Sequence, residues 1–227
     1  MNPAFLDMLK KTNDDLNKAM KKIRELDWES QFELLENIAI YAADSGWTIP
    51  PHTTFRECQE LIEGKSKEDI DHDFQLHYKE IGNYNSMKTV LLSGRCFGGK
   101  WKSLLEDCFI NYEEDRHSIV IPSLFLILEG VIFDTVKDQD WKAALKERKK
   151  KIKDNSINKP LFTSVQRFID KAFKYGDFEA ESYKHSFINR NWVLHGRDDI
   201  NEWEPVDALR LFNALYSLNF FNDSLMK

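Results

Sequence analysis

The run Phe187–Asp199, FINRNWVLHGRDD, decides how the rest of this sequence is read. Arg190 and His195 stand five residues apart, with Asn191 directly after the arginine. On a helix turning about 100° per residue, with Phe187 at zero, Asn191 and Leu194 fall close beside Phe187, and Arg190 and His195 flank that stripe on either side. One broad face then carries two apolar anchors, Phe187 and Leu194, and three polar groups suited to gripping or protonating a phosphate ester. Gly196 supplies a left-handed stop after the last turn. His195 is thereby placed at a helix C-terminus, where the backbone dipole favours positive charge. An amphipathic helix whose histidine caps its own end has the same spacing, so the surrounding sequence must separate a site from a scaffold.

Upstream lies the most apolar segment of the chain, His117 to Val136, with Pro122 placed in its first turn and Glu129 in its middle. Apolarity all round a helix implies burial at the centre of a bundle. An ionised carboxylate there is costly unless paired. Glu129 is therefore expected to meet Arg190 or His195 across the bundle, or to be a structural ion pair, or to turn into a wet groove. Asp134 reads as a surface or capping acid.

Helical periodicity covers nearly everything else. Residues 1–45 read as helices, first through Leu6, Leu9, Leu16, Met20, Ile23 and Leu26, then from Trp28 through Phe32, Leu35, Ile38 and Tyr41. GWTIPP, Gly46–Pro51, ends that segment and holds the chain extended. Further helices are expected from Phe55 to a stop at Gly64, from a capping box at Ser66 to a break at Gly82-Asn83, through Met87 to Gly94, and from Trp101 to Phe109. Others follow over Lys142–Lys153, over Phe162–Phe173, from about Glu179 into the Arg190 motif, and from Glu204-Pro205 to Phe221. Period-two alternation bounded by turns is almost absent, so the fold class is all-α.

The chain has 227 residues, 42% hydrophobic and 31% charged, enough for one large or two small domains with a real core. A net charge of −6 rules out a generic polyanion-coating protein; nucleic acid, if bound, is held locally. Cys58, Cys96 and Cys108 are widely spaced and odd in number, which fits reduced thiols better than disulfides or zinc. The N-terminus does not read as a signal peptide, and the longest apolar run, with its proline and glutamate, reads as too short to span a bilayer. A cytoplasmic protein without a membrane partner is the expectation.

Taken together, RNWVLHGRD after IPSLFLILEG resembles the HEPN superfamily, whose members carry an R-x(4–6)-H motif. The polar residue after the arginine, here Asn191, is typical of its ribonucleases. A group of bacterial and phage-associated members has an "ip…l..iEGi" run preceding an "NR…vLHGrd" run by several tens of residues, and GWTIPP resembles an element upstream in the same group. The likeness touches three points over about residues 46–215. It implies a HEPN-like helical bundle over residues 86–227, preceded by an N-terminal helical region over residues 1–85. It further implies a cofactor-free, metal-independent endoribonuclease, a toxin or antiphage effector, acting on RNA, with an antitoxin or regulatory protein as a further candidate partner. Catalysis would fall to His195 for proton transfer, Arg190 for the phosphate, Asn191 for positioning phosphate or ribose, and Glu129 for orienting the pair. One histidine does not easily serve as base and acid in a single turnover, and the superfamily's habit of dimerising through this region implies a homodimer with two histidines in one cleft. A non-catalytic helical module that binds a nucleotide or a protein partner is the alternative.

Other patterns carry less. GRCFGGKW, Gly94–Trp101, satisfies GxxxxGK, but Trp101 stands where a phosphate loop needs Ser or Thr for magnesium, so a helix–helix turn accounts for it better. His72 and His77 are five apart, not the four that stacks two ligands on one helix face. Lys146–Lys153 is the one basic cluster, a solvated face or a set of phosphate contacts. Cys108 reads as core, and Asp198 and Asp199 as the loop after the motif.

Overall fold

The computed structural model describes residues 11–18, 21, 27–94, 99–136, 140–153, 156–175 and 187–225. Among them there are helices and no strands. Residues 11–18 are helical, with Leu16 exposed. The main elements are α1 (Trp28–Asp44), α2 (Phe55–Ile62), α3 (Lys67–Lys79), α4 (Ile81–Ser93), α5 (Lys102–Glu113), α6 (His117–Val136), α7 (Trp141–Lys151), α8 (Asn158–Ala172), α9 (Arg190–Leu194) and α10 (Pro205–Leu225).

Local signals explain most of these limits. Asp27 caps α1 by accepting from the Ser30 N–H, and Thr54 and Ser66 open α2 and α3 with full capping boxes to Glu57 and Asp69. Gly82 and Asn83 do not break the chain as expected. The interruption is at Glu80, and α4 restarts at once with both residues inside it. Pro122 is the sixth residue of α6, not in its first turn. The backbone bond that Pro122 cannot donate leaves one carbonyl of the preceding turn to find another partner.

One core joins α1 to α10: α1 lies along α8, α6 is packed by α5, α7, α9 and α10, and α10 also reaches α3, α4 and α8. The boundary expected at residue 85 falls inside α4, and helices on both sides of it contribute to that single core. Burial of α6 is one-sided, against the expectation from its composition. Ile119, Leu126 and Phe133, seven residues apart, are 59, 49 and 54% exposed. With 20 residues, α6 is long and apolar enough to cross a membrane by length and composition, a test that the core helix of a bundle passes as well.

GWTIPP is the strap that sets the bundle's interior. Gly46 has φ +95°, and a Cβ there would stand 2.9 Å from Cγ of Phe187 and 3.0 Å from Nε of Arg210, so only glycine suits both the backbone and the space. Trp47 stacks on Phe74 and donates from Nε1 to Asp71 at 2.8 Å, while Arg210 bridges Asp71 and Asp207 at 2.5 and 2.6 Å. Thr48 donates its N–H to Asn213, and Ile49 donates to the Ser164 hydroxyl. The strap's N–H groups are thus taken by α1 at Gly46 and Trp47 and by α8 and α10 at Ile49 and Thr48, with the Trp47 indole on α3. Phe187, held against Gly46 and stacked on Phe168, is the residue from which the chain enters the motif.

Candidate functional site

The Arg190 motif is a single short helix, not the long one expected from Glu179, a start that lies outside the described residues. Phe187 and Ile188 precede it as buried, non-helical chain, and Asn189 is its extended N-cap at φ −121°, ψ 132°. The Asn189 side chain accepts from the N–H groups of Asn191 and Trp192 at 2.9 and 3.4 Å. Its amide donates to the carbonyls of Lys171 and Lys174 at 3.2 and 3.1 Å. Asn189 thereby satisfies both the start of α9 and the frayed end of α8. Sequence reasoning passed over this residue, although an asparagine directly before a helical turn is a capping signal.

Starting the helix at Arg190 changes its phase. Val193 is buried and Leu194 exposed, so the apolar anchors are Phe187 and Val193 rather than Phe187 and Leu194. Asn191 turns inward. Its amide donates to the carbonyl of Lys174 at 3.2 Å and to that of Phe173 at 3.5 Å, and its oxygen accepts from Nη1 of Arg190 at 3.0 Å. A buried Asn191 thus spends its amide on the end of α8 and its oxygen on Arg190.

Arg190 meets Glu129. Nη2 and Nε donate to the same carboxylate oxygen, Oε2, at 2.6 and 3.1 Å. The arginine side chain is 23% and the glutamate 41% exposed, so the pair lies on the wet edge of α6 and not in its buried face. Directly beyond Glu129, Gly130 makes room for Trp101: a Cβ at Gly130 would come within 2.0 Å of the Trp101 ring. The Trp101 Nε1 donates to Asp134 at 3.3 Å, which accounts for that acid as a surface partner. Trp101 is therefore a packing residue. Residues 95–98 of the GxxxxGK run lie outside the described residues.

His195 closes α9 as its C-cap. Its backbone N–H bonds to the carbonyls of Asn191 and Val193, and its side chain is exposed. Gly196 follows at φ +63°, the left-handed turn the sequence called for, and the Arg197 N–H returns to the Trp192 carbonyl at 2.9 Å. Asp198 accepts from Trp203 Nε1 at 3.0 Å; burial raises its pKa above the ordinary carboxylate value, with Trp203 opposing. Asp199 caps the short 3-10 turn Ile200–Glu202. The structure thus brings Arg190, Asn191 and Glu129 into one network and sets His195 at the far end of the same short helix.

The remaining candidates separate from this network. His72 is exposed and His77 half-buried, and among the described residues no group of three His, Cys, Asp or Glu side chains is arranged to hold a metal. In the basic run, Lys149 pairs with Glu36 at 2.9 Å and Lys150 with Glu147 at 2.5 Å. Cys58 and Cys108 are buried free thiols, and burial pushes Cys108 up to about 12; Cys96 lies outside the described residues. Compared with protein-family models, curated proteins and solved structures, the chain matches none.

Proposed function

We propose that this protein is a HEPN-type, metal-independent endoribonuclease that works as a homodimer, in the manner of a toxin or antiphage effector in the cytoplasm. The observation that carries the reading is the Arg190–Glu129 pair, held at a solvent edge by Asn191 and placed on the same five-residue helix that ends in exposed His195. The chemistry is attack of a ribose 2′-OH on the adjacent phosphorus. The 2′-oxygen–phosphorus bond forms and the bond from phosphorus to the 5′-oxygen breaks, leaving a 2′,3′-cyclic phosphate and a 5′-OH. His195 takes the 2′-proton, since histidine changes charge near neutrality. Arg190 receives the negative charge that gathers on the phosphoryl oxygens. Three of its five N–H donors go to Glu129 and Asn191, which fixes the plane of the guanidinium and directs the others outward.

The leaving 5′-oxygen needs a proton from a second group, and a second copy of the chain supplies another His195. The exposed stripe Ile119–Leu126–Phe133 runs along α6 beside Glu129, and contiguous apolar surface of this kind favours a partner. Docking two copies there would bring both Arg190–His195 helices to one cleft. A non-catalytic module is the second reading, favoured by one observation: Arg190 is already engaged by its own protein through three bonds. Over-expression separates the two. The ribonuclease reading expects growth arrest that His195→Ala abolishes while the variant remains folded; equal toxicity of parent and variant defeats it.

A further inference from the structure

Away from the Arg190 network, the segment after Trp47 borders an open hollow of about 220 Å³ with a largely apolar lining, which includes His52, Glu57, His77, Asn83, Ser86 and Tyr216. A second hollow of about 530 Å³ shares His52 and Ser86 with it and continues along α4 past Asn85 and Thr89. Together they form an elongated cleft within the range of small-molecule sites, roughly 300–1,000 Å³.

The chemistry of this cleft is one-sided. Neither hollow is lined by a lysine or arginine, and its carboxylate is Glu57. Glu57 is fixed in place by the capping box: Oε2 accepts from the Thr54 N–H at 2.6 Å and from its hydroxyl at 2.8 Å. Those bonds, the backbone one first, hold its carboxyl below the ordinary value, so it is charged at neutral pH. Across the hollow, burial lowers the pKa of His77, which keeps the ring neutral. The Asn83 amide nitrogen lies 3.4 Å from its Nδ1; an amide N–H there makes Nδ1 the acceptor and assigns the ring proton to Nε2. Tyr216 and Phe220 pack on the ring of His52 at 5.7 and 6.4 Å, giving the cleft an aromatic wall. Ser86, Asn85 and Thr89 add hydroxyl and carboxamide oxygens along its length.

We propose that this cleft binds a small aliphatic diamine or polyamine, one ammonium on Glu57 and the chain lying along α4 over the oxygens of Ser86, Asn85 and Thr89. A fixed carboxylate beside aromatic faces is the chemistry that recognises an ammonium ion. With Glu57 as its carboxylate and no lysine or arginine among its lining residues, the cleft offers a phosphate ester no permanent cation, so the site stands apart from RNA and does not rest on the ribonuclease reading.

Isothermal titration of the full chain at low ionic strength tests this, with spermidine and putrescine as probes, butane-1,4-diol as the uncharged isostere and AMP as the anionic control. Saturable one-to-one binding of spermidine is expected, with none of the diol or AMP. Glu57→Gln keeps the capping box, because glutamine serves at that position, and is expected to weaken spermidine binding about tenfold or more, a loss of about 1.4 kcal/mol. His52→Ala is expected to weaken it as well, and serves alone if urea melts show Glu57→Gln unfolded. Glu60→Gln, on the same helix but paired with Arg56 outside the cleft, should bind as the parent does. Failure of spermidine to bind, or equal weakening by Glu60→Gln and Glu57→Gln, overturns the proposal, the second result meaning diffuse counter-ion attraction to an acidic protein.

Discussion

Replacing Glu129 by glutamine asks what the pair with Arg190 does. The substitution keeps the shape and an oxygen that can accept from the guanidinium, and removes the charge. Both partners reach solvent, at 41 and 23% exposure, so screening keeps the pair's worth on the surface scale of about 0–1 kcal/mol. Exchanging bonds between two ions for bonds from the guanidinium to a neutral carbonyl adds a loss of similar size. Unfolding free energy should therefore fall by about 1 kcal/mol and by less than about 2. The effect on cleavage is larger, because Arg190 has several torsions, each with about three staggered wells, and Glu129 selects among them. Releasing that choice dilutes the orientation that receives the phosphate, for an expected loss in kcat of at least about tenfold, or about 1.4 kcal/mol. Glu129→Ala should cost more stability, since it leaves Arg190 with Asn191 alone. Single-turnover cleavage of a short RNA and urea melts on the same preparations measure both quantities. A Glu129→Gln protein as active as the parent would refute the reasoning, as would a loss of activity fully explained by unfolding.

Leu126→Glu places a charge in the exposed stripe of α6 without touching the core face; light scattering should show a monomer, cleavage should fall, and the urea midpoint should hold. Asn189→Ala strands the N–H groups at the start of α9 and takes one bond from each of the Lys171 and Lys174 carbonyls, which keep the Lys174 N–H and the Asn191 amide; a loss of about 1–2 kcal/mol is expected in urea melts. Asp44 gives a pH test. Burial raises its pKa, but Arg167 and Lys171 outweigh burial and hold it below the ordinary 3.8. A depressed carboxylate stabilises the fold above its unfolded pKa and loses that contribution as pH falls through the folded one. The stability gap between parent and Asp44→Asn should therefore be full near pH 6, a level well above 3.8, and close in the acid range below 3.8.

Much of the architecture was legible because it rests on local signals. The capping box at Ser66, the proline opening α10 and the left-handed Gly196 each act within a few residues, and each sits where the sequence put it. The pairing of Glu129 with Arg190 was among the expected outcomes, although Glu129 reaches solvent at the edge of α6 and burial did not force the pair. What stayed hidden depends on distant groups. Extending helical phase back to Phe187 failed because the Asn189 side chain takes the first N–H groups of α9, so the helix starts later and Val193, not Leu194, faces inward. The bonds that hold Asn191 could not be read because its buried partners, the carbonyls ending α8, are separated from it by 17 and 18 positions. The exposure of Leu126 was unreadable for the converse reason: composition shows that α6 is apolar on all sides, and only the packing of its neighbours shows which side they leave open.

The most direct test of the ribonuclease account is the chemistry of the cut ends. Incubated in EDTA with a short RNA, the parent protein should leave 2′,3′-cyclic phosphate and 5′-OH termini by mass spectrometry, a 2′-deoxy sugar at the cleaved position should block the cut, and His195→Ala should leave the RNA intact. Intact RNA with the parent, cleavage that survives His195→Ala, or products ending in 3′-OH and 5′-phosphate would contradict it.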